Sequence, residues 1–172
     1  MRLLTGLQTI PTREDWLLGI ILLTVYSSIA LIWGFQSRFF KLQLLQSPLQ
    51  IAQIVLTSFF APASIEEIIF RVLLLPQPTQ NLKQLPVIAV IVSLLSFTLY
   101  HPLNALTFFP SGRNIFFNPI FLSLATLLGI TCILAYWLSA SLWLPVILHW
   151  IVVMSWLIAL GGYNLVYEKS LK

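Results

Sequence analysis

Residues 114–167 read NIFFNPIFLSLATLLGITCILAYWLSASLWLPVILHWIVVMSWLIALGGYNLVY, 54 positions without one Asp, Glu, Lys or Arg. A helix crosses the hydrocarbon core of a bilayer with about 20 apolar residues. The stretch is therefore long enough for two passes, and Ser139-Ala140-Ser141 reads as the tight connection between them. Working outward, three more charge-free runs stand at 84–112, 42–65 and 16–37. The expected spans are 16–35, 49–75, 85–101, 117–138 and 142–160. Pro48, Pro76, Pro78 and Pro86 fall near their ends, where proline is tolerated. Pro110-Ser111-Gly112-Arg113-Asn114 reads as a surface turn.

Composition points the same way. Hydrophobic residues make up 59% of the 172 positions and charged residues 8%, against about 25% charged in soluble domains. So few charges cannot cover a water-facing surface, and a mean hydropathy of +0.94 excludes disorder as well. The fold expected is an all-α, polytopic transmembrane bundle of about five spans. Its parts are an N-terminal segment with the first span at 1–47, a core at 48–162 and a tail at 163–172. The expected location is a bacterial-type plasma or internal membrane, with membrane lipids as surroundings. The net charge of +4 does not indicate nucleic acid, because the nine Lys and Arg residues are scattered. With five spans, Arg2, Arg13 and Lys83 share one side and Arg38, Lys41, Arg113, Lys169 and Lys172 the other, which mildly favours an outside N-terminus. The run at 16–35 is too long for a signal-peptide core and follows Glu14 and Asp15. Cys132 is the single cysteine, so no internal disulfide forms.

Against this background a few polar residues stand out. Glu66, Glu67 and Arg71 lie within the second span, and both histidines, His101 and His149, fall at or near membrane depth. An ionisable group at the bilayer centre costs about 2.5–3.5 kcal/mol on insertion scales. Such groups face the bundle interior and find partners, either as a functional site or as a polar network that orients helices. Glu67 and Arg71 are four apart and face each other on a helix. Glu66 points about 100° away, free to face a neighbouring helix, where a carboxylate in a poorly hydrated site suits a general base. Pro62 should kink or break the span. Ser64 and Glu67 then have the spacing of a capping box, which predicts a fresh helix start near Ile65. Glu and His around one water can cleave a peptide without a metal. No cofactor is expected; the alternative is a divalent metal, with Glu66, His101 and His149 as zinc ligands instead.

These residues carry a resemblance. Glu66-Glu67-Ile68-Ile69-Phe70-Arg71 is similar to the E-E-x-x-x-R motif of the CPBP membrane protein family. That family includes type II CAAX prenyl endopeptidases, bacterial intramembrane proteases and bacteriocin-immunity proteins. Phe97-Thr98-Leu99-Tyr100-His101 resembles its F-x-x-x-H motif, and the run from Leu142 to His149 resembles the approach to its H-x-x-x-N/D motif. The resemblance covers roughly residues 58–156. It implies that Glu66 is the catalytic base, that His101 helps it activate a water, and that His149 stabilises the oxyanion. Glu67 and Arg71 would support the site's shape. The implied activity is glutamate-dependent intramembrane endopeptidase action on a membrane-associated protein or peptide.

One position departs from the pattern. Val153 stands where the third motif has Asn or Asp, and valine has no hydrogen bond to give an oxyanion. Losing one such donor costs about 10²–10³ in rate. Asn104, three residues after His101, is a candidate substitute or else a helix-end cap. Pro102 is expected to restrict His101 and end the helix there. Trp143, Trp150 and Trp156, with Phe108, Phe109, Phe116 and Phe117, either line a pocket for a prenyl chain or anchor the helices at the interface. The alternative function is a non-catalytic scaffold, immunity or assembly protein of the same fold. An ion transporter is a third reading, disfavoured by the short chain and the lack of an inverted repeat.

Overall fold

The computed structural model describes residues 2–78 and 86–168. Asn81, Lys83, Leu85 (the first residue of the span expected at 85–101) and the tail from Lys169 to Lys172 lie outside the described residues.

A short helix, α1 (Arg2–Gln8), precedes the first span, α2 (Arg13–Gln36). Thr12 caps α2 by accepting from the Asp15 N–H at 3.2 Å, while the Asp15 carboxylate accepts from the Thr12 N–H at 2.8 Å. The acidic pair before the apolar run is thus the helix start itself. Next comes the broken span α3 (Pro48–Leu73), opened by Ser47 as cap and Pro48 in the first turn. Then follow α4 (Val87–Leu106), the short α5 (Arg113–Phe116), α6 (Pro119–Ser139) and α7 (Trp143–Ala159). Ala140 turns the chain between α6 and α7 with a left-handed φ of 54°, so the connection at 139–141 is as tight as expected.

No strand occurs among the described residues, and the chain is an all-α integral membrane protein. Four helices are long and apolar enough to cross a membrane: α2, α3, α4 and α6. The fifth expected span is α7, whose 17 residues reach only about 26 Å at 1.5 Å per residue. Its C-terminal carbonyls do not depend on solvent. Lys41, Gln43 and Leu45 give their N–H groups to Leu160, Ala159 and Ile158 at 3.3, 3.0 and 2.9 Å. This strap satisfies the orphan acceptors of the helix end and fixes the depth of α7 against the chain that links α2 to α3.

Helix α6 is the central one and packs against α2, α4 and α7. Gly129 makes room for side chains of α4, because a Cβ there would meet Leu94 Cδ1 at 2.8 Å and Phe97 Cδ1 at 3.1 Å. The outer faces of α2 and α4 are apolar too, with Ile20, Ile21, Ile88 and Leu99 exposed, as lipid contact requires.

Two local expectations need correction. The break falls at Ala61, before Pro62, and an α-helical turn does begin at Ile65, but no capping box opens it. Ala61 is extended (φ −134°, ψ 115°), the conformation that a following proline imposes, and Pro62 opens the second half of the span. Ser64 is therefore already helical and caps nothing; its hydroxyl donates to the Phe59 carbonyl at 2.7 Å, and Glu67 is engaged elsewhere. Nor does Pro102 end α4, which continues to Leu106 with the proline inside it.

Candidate active site

Glu66 and Glu67 occupy a single α-helical turn, Ile65–Glu67, between two π-helical segments, Phe59–Ser64 and Ile68–Leu73. Segments of this wider turn are rare and concentrate at functional positions. Both carboxylates are buried, Glu67 completely.

Glu67 has the partner its spacing predicts. Arg71 Nε donates to Glu67 Oε2 at 2.8 Å and Nη2 to Oε1 at 3.4 Å, with neither side chain exposed. A buried ion pair holds only if its other polar atoms are satisfied as well. Arg71 Nη1 donates to Ser93 Oγ at 3.2 Å, and Ser93 in turn donates to the Phe70 carbonyl at 2.7 Å. The guanidinium lies 4.9 Å from the centre of the Phe97 ring. Ser93 was not singled out by sequence. The signal available was helical spacing, four residues before Phe97 and eight before His101.

A third hydrogen bond to this carboxylate comes from another span. His149 Nδ1 stands 2.9 Å from Glu67 Oε1. An ionised carboxylate only accepts, so the ring hydrogen is assigned to Nδ1. The other nitrogen, Nε2, then faces Glu66 Oε2 across 3.9 Å, beyond hydrogen-bond reach. That Glu66 oxygen is buried and has no protein hydrogen bond.

His101 is set by its own helix. Its Nδ1 lies 3.0 Å from the Phe97 carbonyl one turn back. A carbonyl only accepts, so the hydrogen is assigned to Nδ1, and in the neutral ring Nε2 keeps its lone pair. The fully buried Phe97 ring makes edge-on contact with both imidazoles, with centroids 5.2 Å from His101 and 5.9 Å from His149.

Glu66, His101 and His149 all line one cavity of about 700 Å³. Ala61 and Pro62 line it too, so the helix break forms part of the wall beside Glu66. Val153 and Asn104 also face this space. Among the aromatics, Trp156, Phe108, Phe109 and Phe116 border the cavity. Trp143 and Trp150 instead donate to the backbone carbonyls of Leu7 and Val55, at 2.8 and 2.9 Å.

The chemistry of the set is that of a buried carboxylate and two imidazoles around a mostly apolar space. Among the described residues, the three metal-ligating side chains whose atoms approach within 4.8 Å of one another are Glu67, Cys132 and His149, not the trio Glu66, His101 and His149. The close trio already has internal partners. Glu67 holds Arg71, His149 holds Glu67, and the Cys132 thiol points to the Pro145 carbonyl at 3.7 Å.

Residues 47–155, more than half of the chain, match the family model described as Type II CAAX prenyl endopeptidase Rce1-like. No curated protein and no solved structure matches the chain.

Proposed function

The chain belongs to the Rce1-like family of type II CAAX prenyl endopeptidases, and from that premise we propose that it is a glutamate-dependent intramembrane peptidase. Its substrate is a membrane-associated protein or peptide, and its membrane a bacterial-type plasma or internal one. The observation that carries the reading is that Glu66, His101 and His149, drawn from three separate helices, border one cavity with the Glu67–Arg71 pair behind them.

In this mechanism a water sits between the Glu66 carboxylate and His101 Nε2. Glu66 takes a proton as the water oxygen bonds to the peptide carbonyl carbon. The carbonyl π pair moves to oxygen, and His149 donates to the oxyanion from Nε2. A ring that donates there while Nδ1 stays on Glu67 is an imidazolium, flanked by two carboxylates. Collapse re-forms the carbonyl and breaks the C–N bond, and the proton held by Glu66 passes to the leaving nitrogen. Glu67 and Arg71 are positioning residues in this scheme.

The test is Glu66→Gln in purified protein reconstituted in lipid, assayed on lipidated and transmembrane peptides. The expected result is loss of cleavage with an unchanged unfolding temperature. Full activity in the variant would overturn the mechanism.

A further inference from the structure

Resting on the peptidase reading above, we infer that Asn104 is a catalytic residue that donates to the oxyanion in place of the donor missing at Val153. Val153 faces the cavity with an aliphatic side chain, so α7 offers the oxyanion nothing one turn beyond His149. Asn104 faces the same cavity from α4, three residues after His101 and on the same side of the helix.

The backbone of Asn104 is fully engaged. Its carbonyl accepts the N–H groups of Thr107, Phe108 and Phe109 at 3.3, 3.0 and 2.8 Å, which ends the helix and fixes the residue. Its side chain is not engaged. The half-buried carboxamide makes no hydrogen bond among the described residues, so it is not serving as the cap. Its donors are therefore free for a ligand in the cavity. A substrate carbonyl in the cavity would provide the acceptor for its Nδ2–H. During the reaction no bond to Asn104 forms or breaks. The amide holds the oxygen while the π pair resides there and releases it when the C–N bond breaks.

Three variants test this in lipid-reconstituted enzyme on a peptide that the wild type cleaves. Asn104→Asp keeps the shape and removes both N–H donors; kcat should fall about 10²–10³-fold, with KM little changed. Val153→Asn restores a donor on α7, and the double variant Asn104→Asp/Val153→Asn should recover to within about tenfold of wild type. Tyr100→Phe removes another neutral donor that lines the cavity and should leave kcat within a few-fold. Unfolding temperatures of all variants exclude a folding defect. An active wild type with an equally active Asn104→Asp overturns the role of Asn104 alone. Loss in Asn104→Asp without rescue by Val153→Asn, or a Tyr100→Phe loss of the same size, also overturns it. A wild type that cleaves no lipidated or transmembrane peptide overturns the peptidase reading, and this inference with it.

Discussion

His149 Nδ1 is bound to Glu67, the second residue of the glutamate pair, at 2.9 Å, while its Nε2 stands 3.9 Å from Glu66. One imidazole therefore separates the two carboxylates by role. Glu67 orients the ring and is itself held by Arg71, while Glu66 keeps an unpartnered oxygen next to the other nitrogen.

Glu67→Gln and Glu66→Gln should consequently behave differently. In the first, buried Arg71 loses its counter-charge, which costs about 3–5 kcal/mol. The second leaves the Arg71 pair intact and should not lower the unfolding temperature. Thermal unfolding in detergent distinguishes them. Equal stability of the two variants would refute the division of roles.

Ser93→Ala removes the hydroxyl that accepts from Arg71 and donates to the Phe70 carbonyl. Two buried groups are left unsatisfied, at about 1–3 kcal/mol. The measurement is the unfolding midpoint, with cleavage rate falling alongside it as Arg71 loosens its hold on Glu67. Ser93→Thr, which keeps the hydroxyl, should fall less far.

Gly129→Val should press on the Leu94 and Phe97 side chains of α4, because even a Cβ meets them at 2.8 and 3.1 Å. Overpacking of this kind costs about 1–3 kcal/mol. Phe97 is in contact with both imidazoles, so activity should drop further than stability does. A variant of normal stability and normal turnover would show that the spacing of α4 and α6 is not transmitted to the site.

Chelation addresses the metal alternative directly. The mechanism we propose uses Glu66, His101 and His149 without a metal, and treatment with a strong zinc chelator should then leave peptide cleavage unchanged. Activity that is lost and then restored by added zinc would assign the imidazoles to a metal instead.

Much of the fold was legible because partition between lipid and water is nearly a per-residue property. The charge-free runs located the helices, and Pro62 located the break in the second of them. Local cues failed where several competed. Ser64 and Glu67 had the spacing of a capping box, but the helix had already restarted at Pro62 after the extended Ala61, and Glu67 was committed to Arg71 and His149. Pro102 should have ended α4, yet the helix runs on to Leu106. The 17 residues of α7 read as one more span, and only the strap at 41–45 shows how its end is closed.

Within the site the same boundary holds. The Glu67–Arg71 pair was readable because residues four apart on a helix must meet. The expectation that Glu66 and the two histidines share one space came from motif order alone, and spacing did not say which carboxylate His149 would bind. The bond between His149 and Glu67, the seat of Arg71 on Ser93 and the cavity faced by both Val153 and Asn104 were decided by tertiary structure. Each depends on how far one helix is rotated and slid against another. That rotation is set by packing at places such as Gly129 and by the two π-helical segments around the glutamates, and no single segment of sequence encodes it.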